Sequence, residues 1–143
     1  MKKQDQSNHT KYYPTHHFIF YPIVLSLIGF SLFHYKMEGK FEYVFLAVVF
    51  MLFAWLSFMM RQHYALGNQN RIIRLEMRLR YFQLSNERFE PIEKKLSFGQ
   101  IAALRFASDD ELLSLIDKTV KEDLNPRDIK NLIKNWQADY MRV

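Results

Sequence analysis

Residues 43–60, YVFLAVVFMLFAWLSFMM, carry no formal charge, and neither do residues 18–35, FIFYPIVLSLIGFSLFHY. As a helix rising 1.5 Å per residue, each run extends about 27 Å, enough for the hydrocarbon core of a bilayer. Each holds ten or eleven Leu, Ile, Val or Phe residues. At roughly 0.3 to 0.6 kcal/mol apiece, insertion of each run is favoured by about 3 to 6 kcal/mol. Pro22, Ser26, Gly29 and Ser31 weaken the first helix without breaking it, because a neighbouring span satisfies the backbone they free. An apolar content of 49% in 143 residues would suit one soluble domain. Two such runs in succession argue for two membrane spans instead.

Working outward, Lys2, Lys3 and Lys11 precede the first run as in a signal peptide. The small-x-small pattern Gly29-Phe30-Ser31 lies inside that run rather than after it, so the run is expected to stay as an anchor. The linker between the runs is long enough only to turn the chain, which makes a helical hairpin of residues 18–60. The chain has no cysteine, which excludes disulfides, thiolate metal sites and cysteine nucleophiles.

The net charge of +5 is unevenly placed. Residues 1–17 carry +2, residues 36–42 carry 0, residues 61–81 carry +4 and residues 82–143 carry −1. Basic residues beside spans mark the cytoplasmic face, so both termini are expected in the cytoplasm. Tyr12, Tyr13 and Tyr64 at one interface, and Tyr35 and Tyr43 at the other, sit where aromatic belts form. A nucleic-acid reader concentrates its charge in a separable domain, and the nearly neutral tail argues against that class.

Residues 61–84 form the next element, a basic helix beginning RQHYALGNQNRIIRLEMRLR. Arg61 reaches lipid headgroups. Arg71 lies about 16 Å further along a continuous helix, beyond the roughly 8 Å screening length, unless the chain bends at Gly67. Ile72, Leu75, Leu79 and Phe82 make one apolar stripe, and Leu66, Ile73, Met77 and Leu84 make a second roughly opposite. Arg71, Arg74 and Arg78 line the strip between them. Two apolar faces do not suit a helix lying on lipid, which wants one. The expectation is a stalk held between neighbours, either its own tail or another copy. The arginines then pair with acids such as Asp109, Asp110 and Glu111, bind anionic lipid or meet an acidic partner. The candidate binding residues are Arg61, Arg71, Arg74 and Arg78.

In the tail, residues 85–143, Ser97 with Gln100 and Ser108 with Glu111 read as capping boxes, and Asn125-Pro126 as an N-cap with proline at the first helical position. Three helices are expected, over 98–106, 109–122 and 126–140. Asp109, Asp110 and Glu111 open the middle one and Lys118 and Lys121 close it, as its dipole prefers. About sixty residues without disulfide or metal are marginal alone, so the tail is expected to fold against the stalk or a second subunit. Trp136 and Ile133 are its candidate interface anchors.

Signals for chemistry are sparse. Reflecting the hairpin about its linker brings His17 and His63 to similar depth, with His16 alongside, where imidazoles could hold metal or haem. The plainer reading is amphipathic residues at an interface. The same reflection pairs Pro22 with Ser57 and Ser26 with Phe53 or Ala54, which reads as helix packing. No ionisable residue lies mid-span, where ion paths leave their mark. There is no phosphate loop, Gly-x-Ser-x-Gly or zinc-protease motif, and no catalytic residue is assigned.

The segments NHTKYYPTHHFIFYP, QNRIIRLEMRLR, LSFGQIAALRFASDDEL and IKNWQADYMRV resemble an uncharacterised family of small bacterial two-span membrane proteins, a domain of unknown function. Asn70 departs from the pattern, which has aspartate before Arg71. The resemblance implies a bacterial inner membrane and a hairpin followed by a helical tail, and it brings no activity.

The reading is an all-α, multi-pass membrane protein: a two-span hairpin, a helical stalk and a three-helix cytoplasmic tail. It is taken as a non-enzymatic scaffold or accessory subunit without a cofactor, whose partners are the bilayer and either a second copy or another membrane protein. The alternatives are a redox or metal-binding subunit using His17 and His63, and a channel or transporter accessory.

Overall fold

Both uncharged runs are helical in the computed structural model, which describes residues 4–6 and 14–139. The described residues divide into two compact units, one of residues 14–67 and one joining residues 4–6 to residues 68–139.

In the first unit, α1 (Tyr21–Glu38) and α2 (Phe41–Met59) pack against each other as a hairpin. Each is extended by a six-residue π-helical turn, Thr15–Phe20 before α1 and Met60–Ala65 after α2. The turn is tighter than the linker read from the sequence. Gly39 takes the left-handed conformation at φ 69°, and its N–H donates to the Tyr35 carbonyl at 2.8 Å. Glycine closes a helix this way without a Cβ penalty. Around the turn, the Glu38 carboxylate accepts from Lys40 Nζ at 2.8 Å and from the Tyr43 hydroxyl at 3.0 Å.

The hairpin interface buries Val24, Ser31 and Ala47. Ser31 Oγ donates to the Leu27 carbonyl at 2.8 Å, which satisfies the hydroxyl within its own helix and leaves a small side chain at the contact. Ser26, expected at the packing seam, is exposed, and a Cβ on Gly29 would meet nothing within 4 Å. Reflection about the linker matches depth but not rotation around each helix axis, so it misplaced Pro22 and Ser26 on α1, whereas Ala54 and Ser57 on α2 are half-buried. Phe18, Phe41, Phe45, Leu52 and Trp55 are among many large apolar side chains that stay exposed. Both helices are long and apolar enough to cross a membrane.

The second unit is built on α3 (Leu66–Ser85), which ends where Asn86 adopts φ 57° and its N–H donates to the Phe82 carbonyl at 2.8 Å. Asparagine tolerates that left-handed position better than most side chains. The tail follows as α4 (Glu90–Glu93), α5 (Phe98–Leu104), α6 (Asp109–Glu122) and α7 (Pro126–Leu132). Ile73, Met77 and Tyr81 of α3 join Phe89, Leu96, Ile101, Leu104, Leu112, Ile116 and Ile129 in one apolar core. The tail thus folds on the stalk, as its marginal size demanded.

Local signals explain the helix starts. Ser97 Oγ accepts from the Gln100 N–H at 3.3 Å, and the Gln100 side chain accepts from the Ser97 N–H at 2.7 Å. Gln100 Nε2 also donates to the Leu124 carbonyl at 2.9 Å, tying the start of α5 to the loop before α7. Asn125 Oδ1 accepts from the Arg127 and Asp128 N–H groups at 2.9 and 3.0 Å.

The last helix is much shorter than 126–140, and one turn, α4, has no counterpart among the three expected tail helices. Ile133 turns extended, and Trp136 forms an antiparallel bridge with Ala107. The Glu111 carboxylate accepts from the Lys134 and Asn135 N–H groups, each at 3.1 Å, and the Phe106 carbonyl accepts from the Gln137 N–H at 2.8 Å. Those acceptors replace the carbonyls that a longer α7 would have supplied. Trp136 stacks on Phe106 with centroids 4.5 Å apart, so the side chain expected to anchor an interface is used within the fold.

Candidate functional site

The four arginines of the candidate set separate by geometry. Arg74 Nη1 and Arg78 Nε each approach the Glu93 carboxylate at 2.6 Å, one on each oxygen. Glu93 is only 8% exposed. The hydrogen bond from Arg78 holds its carboxyl below the ordinary value, against the opposing effect of burial and with help from Arg74. Arg74 also lies over the Phe98 ring, 5.5 Å from its centroid. These two arginines do pair with an acid, but it is Glu93 rather than Asp109, Asp110 or Glu111. Glu93 lies in a one-turn helix after Pro91, and nothing in its local pattern marked it as their partner.

Asp109 is taken instead by Arg80, whose Nε donates to it at 2.6 Å while Nη1 and Nη2 donate to the carbonyls of Arg105 at 3.1 Å and Ala107 at 2.6 Å. Arg80 thereby ties α3 to the end of α5 and the start of α6. Asp110 is exposed, and Glu111 serves the C-terminal segment. Burial pushes the Glu111 carboxyl up, but backbone N–H groups of Lys134, Asn135 and Ser108 outweigh it and bring it below its ordinary value.

Arg61 belongs to the hairpin unit, where its Nη1 donates to His17 Nε2 at 2.7 Å. That contact engages the ring lone pair a metal would need, and among the described residues no hydrogen bond or ring contact joins His17 to His63. No group of three or more His, Asp or Glu side chains is placed to hold a metal ion among the described residues. His16 packs edge-on against Tyr21 at 4.8 Å and stacks on Phe20 at 5.7 Å, the behaviour of an aromatic in an aromatic cluster. Arg71 is exposed and, unlike the other three, has no hydrogen bond or ion pair to the described residues.

The apolar stripes separate just as cleanly. Ile73, Met77 and Tyr81 are 1% to 7% exposed, whereas Ile72, Leu75, Leu79 and Phe82 are 49% to 61% exposed. The open stripe occupies one face of a helix whose opposite face is fixed in the core and whose flanks are pinned by the Glu93 and Asp109 contacts. Arg71 lies on one margin of the stripe and Glu76 on the other, and neither has a hydrogen bond or ion pair to the described residues. Sequence spacing identified the stripe but missed Glu76, whose significance depends on which face stays open.

A depression of about 760 Å³ lies in the same unit, where Gln4 and Asp5 meet Asp109, Asp110, Lys134 and Trp136. Besides Asp5, its carboxylates are Asp109 and Asp110 of the first turn of α6, which complement the helix dipole. The open face of α3 is the stronger candidate: a rigid, mainly apolar surface suited to protein contact.

The model of a family of unknown function, DUF6526, matches residues 1–143. No curated protein and no solved structure matches the chain.

Proposed function

The chain belongs to the DUF6526 family, whose function is unknown, and from the surface of α3 we propose that it is a non-enzymatic, membrane-anchored module that acts by protein contact. The observation that carries this reading is the open stripe Ile72, Leu75, Leu79 and Phe82 on a helix otherwise locked into the fold. A contiguous apolar row on a water-facing helix is often a binding surface.

Anchoring is supported by the hairpin. Only 11% and 6% of its two most apolar windows are buried, so no protein core covers them, and lipid is the solvent they suit. The charge distribution favours both termini in the cytoplasm of a bacterial inner-membrane protein. Anionic headgroups are a poor match for α3, because Arg74 and Arg78 already hold Glu93 and Arg80 holds Asp109.

The test is a Leu75→Asp/Leu79→Asp variant compared with the wild type after chemical crosslinking in native membranes, before detergent extraction. Membrane fractionation and helical content should be unchanged, while the mass of the extracted complex falls to that of the single chain. A complex of unchanged mass would overturn the docking role of α3.

A further inference from the structure

The partner of α3 follows from the charges beside its open stripe; this inference rests on the docking role proposed above. Ile72, Leu75, Leu79 and Phe82 follow one another at spacings of three, four and three residues, the alternation of coiled-coil a and d positions. With Ile72 at a, Arg71 and Arg78 occupy g positions, and Glu76 and Gln83 occupy e positions.

We propose that the open face of α3 receives the α3 of a second copy, in parallel and in register. In that arrangement a g residue meets the e residue of the next heptad on the other strand. Arg71 therefore meets the partner's Glu76, and twofold symmetry makes the pair twice. These are the two charged side chains on the margins of the stripe that have no hydrogen bond or ion pair to the described residues. Arg78 would face the partner's Gln83, adding no repulsion. An antiparallel pairing of the same stripes sets g against g and e against e. It would place Arg78 near its own counterpart and Glu76 near its own. Opposite charges meet in one orientation and like charges in the other, which selects the parallel pair.

The seam is short. With its four side chains about half exposed, it covers on the order of 400 Å² of apolar surface per copy, less than a standard interface supplies. Asn68, at the preceding d position, ends the apolar run. Confinement to a membrane raises the effective concentration of each copy for the other, so the pair is expected to form in membranes and to dissociate on dilution into detergent.

Because the chain has no cysteine, single substitutions report unambiguously. Leu79→Cys, oxidised in native membranes, should give a disulfide-linked species of twice the chain mass. Co-expressed Arg71→Cys and Glu76→Cys chains should link to each other more than either links to itself. Arg71→Glu in the Leu79→Cys background should lower the yield about tenfold, and adding Glu76→Arg should restore it. Preferential linkage of co-expressed Ile72→Cys and Phe82→Cys chains would overturn the parallel arrangement. Linkage of Leu79→Cys only to a protein of different mass would overturn the second copy while leaving the docking role standing. Asp117→Cys on α6 is the exposed control. If it reacts with maleimide but no position on the stripe links to anything, both readings fail.

Discussion

Replacing Glu93 with glutamine tests whether the arginine strip is architecture. The substitution keeps the size of the side chain and removes the charge shared by Arg74 and Arg78. Breaking a fully buried ion pair costs about 3 to 5 kcal/mol, but rehydration of exposed partners returns much of that. Here the guanidiniums are 36% and 40% exposed against 8% for the carboxylate. The expected loss is therefore about 1 to 2 kcal/mol at neutral pH. For a unit of this size that lowers the thermal midpoint by roughly 5 to 10 °C.

The pH dependence gives a second, independent check. A carboxyl whose folded pKa is depressed contributes its full stability above the unfolded value, near 4.5, and loses it as pH falls through the folded value. The difference between wild type and Glu93→Gln should thus be constant above about pH 5.5 and shrink in acid. Thermal unfolding in detergent, followed by far-ultraviolet circular dichroism from pH 3 to 8, measures it. A variant as stable as wild type at neutral pH, or a difference that persists undiminished in acid, would refute the clamp. Arg74 and Arg78 would then be available for lipid or partner after all.

Met77→Ala should cost about 3 kcal/mol, because Met77 is 1% exposed in the core, whereas Leu75→Ala should change single-chain stability by less than about 0.5 kcal/mol; denaturant unfolding in detergent compares them. Glu111→Gln should leave α6 in place but speed amide hydrogen exchange at Lys134 and Asn135 by roughly tenfold, since it weakens the acceptor that holds both N–H groups. Gly39→Ala should destabilise the hairpin by about 1 kcal/mol, because its φ of 69° penalises a Cβ, and guanidine-free thermal scans in detergent would show it.

Much of this architecture was legible one element at a time. The uncharged runs announced two long apolar helices, Ser97 with Gln100 marked the start of α5, and Asn125-Pro126 marked the start of α7. These signals are local: a helix start depends on a side chain within three residues of the amide it caps. Two opposed stripes on α3 were equally readable, because helical spacing fixes which residues share a face. Which stripe would be covered was not, since both are apolar and of similar length.

The sequence by itself determined the composition of each helix face, the positions of the caps and the pooling of positive charge after the second apolar run. Tertiary structure decided how distant groups were matched. It gave Arg74 and Arg78 to Glu93, 19 and 15 residues away, and Arg80 to Asp109, 29 residues away. It ended α7 early because Glu111 and the Phe106 carbonyl offered acceptors from outside the helix. It also left Arg71 and Glu76 beside an open stripe, by burying the opposite one. Backbone periodicity is encoded over a few residues, whereas the choice among competing acids, acceptors and apolar faces is made only when the whole chain comes together.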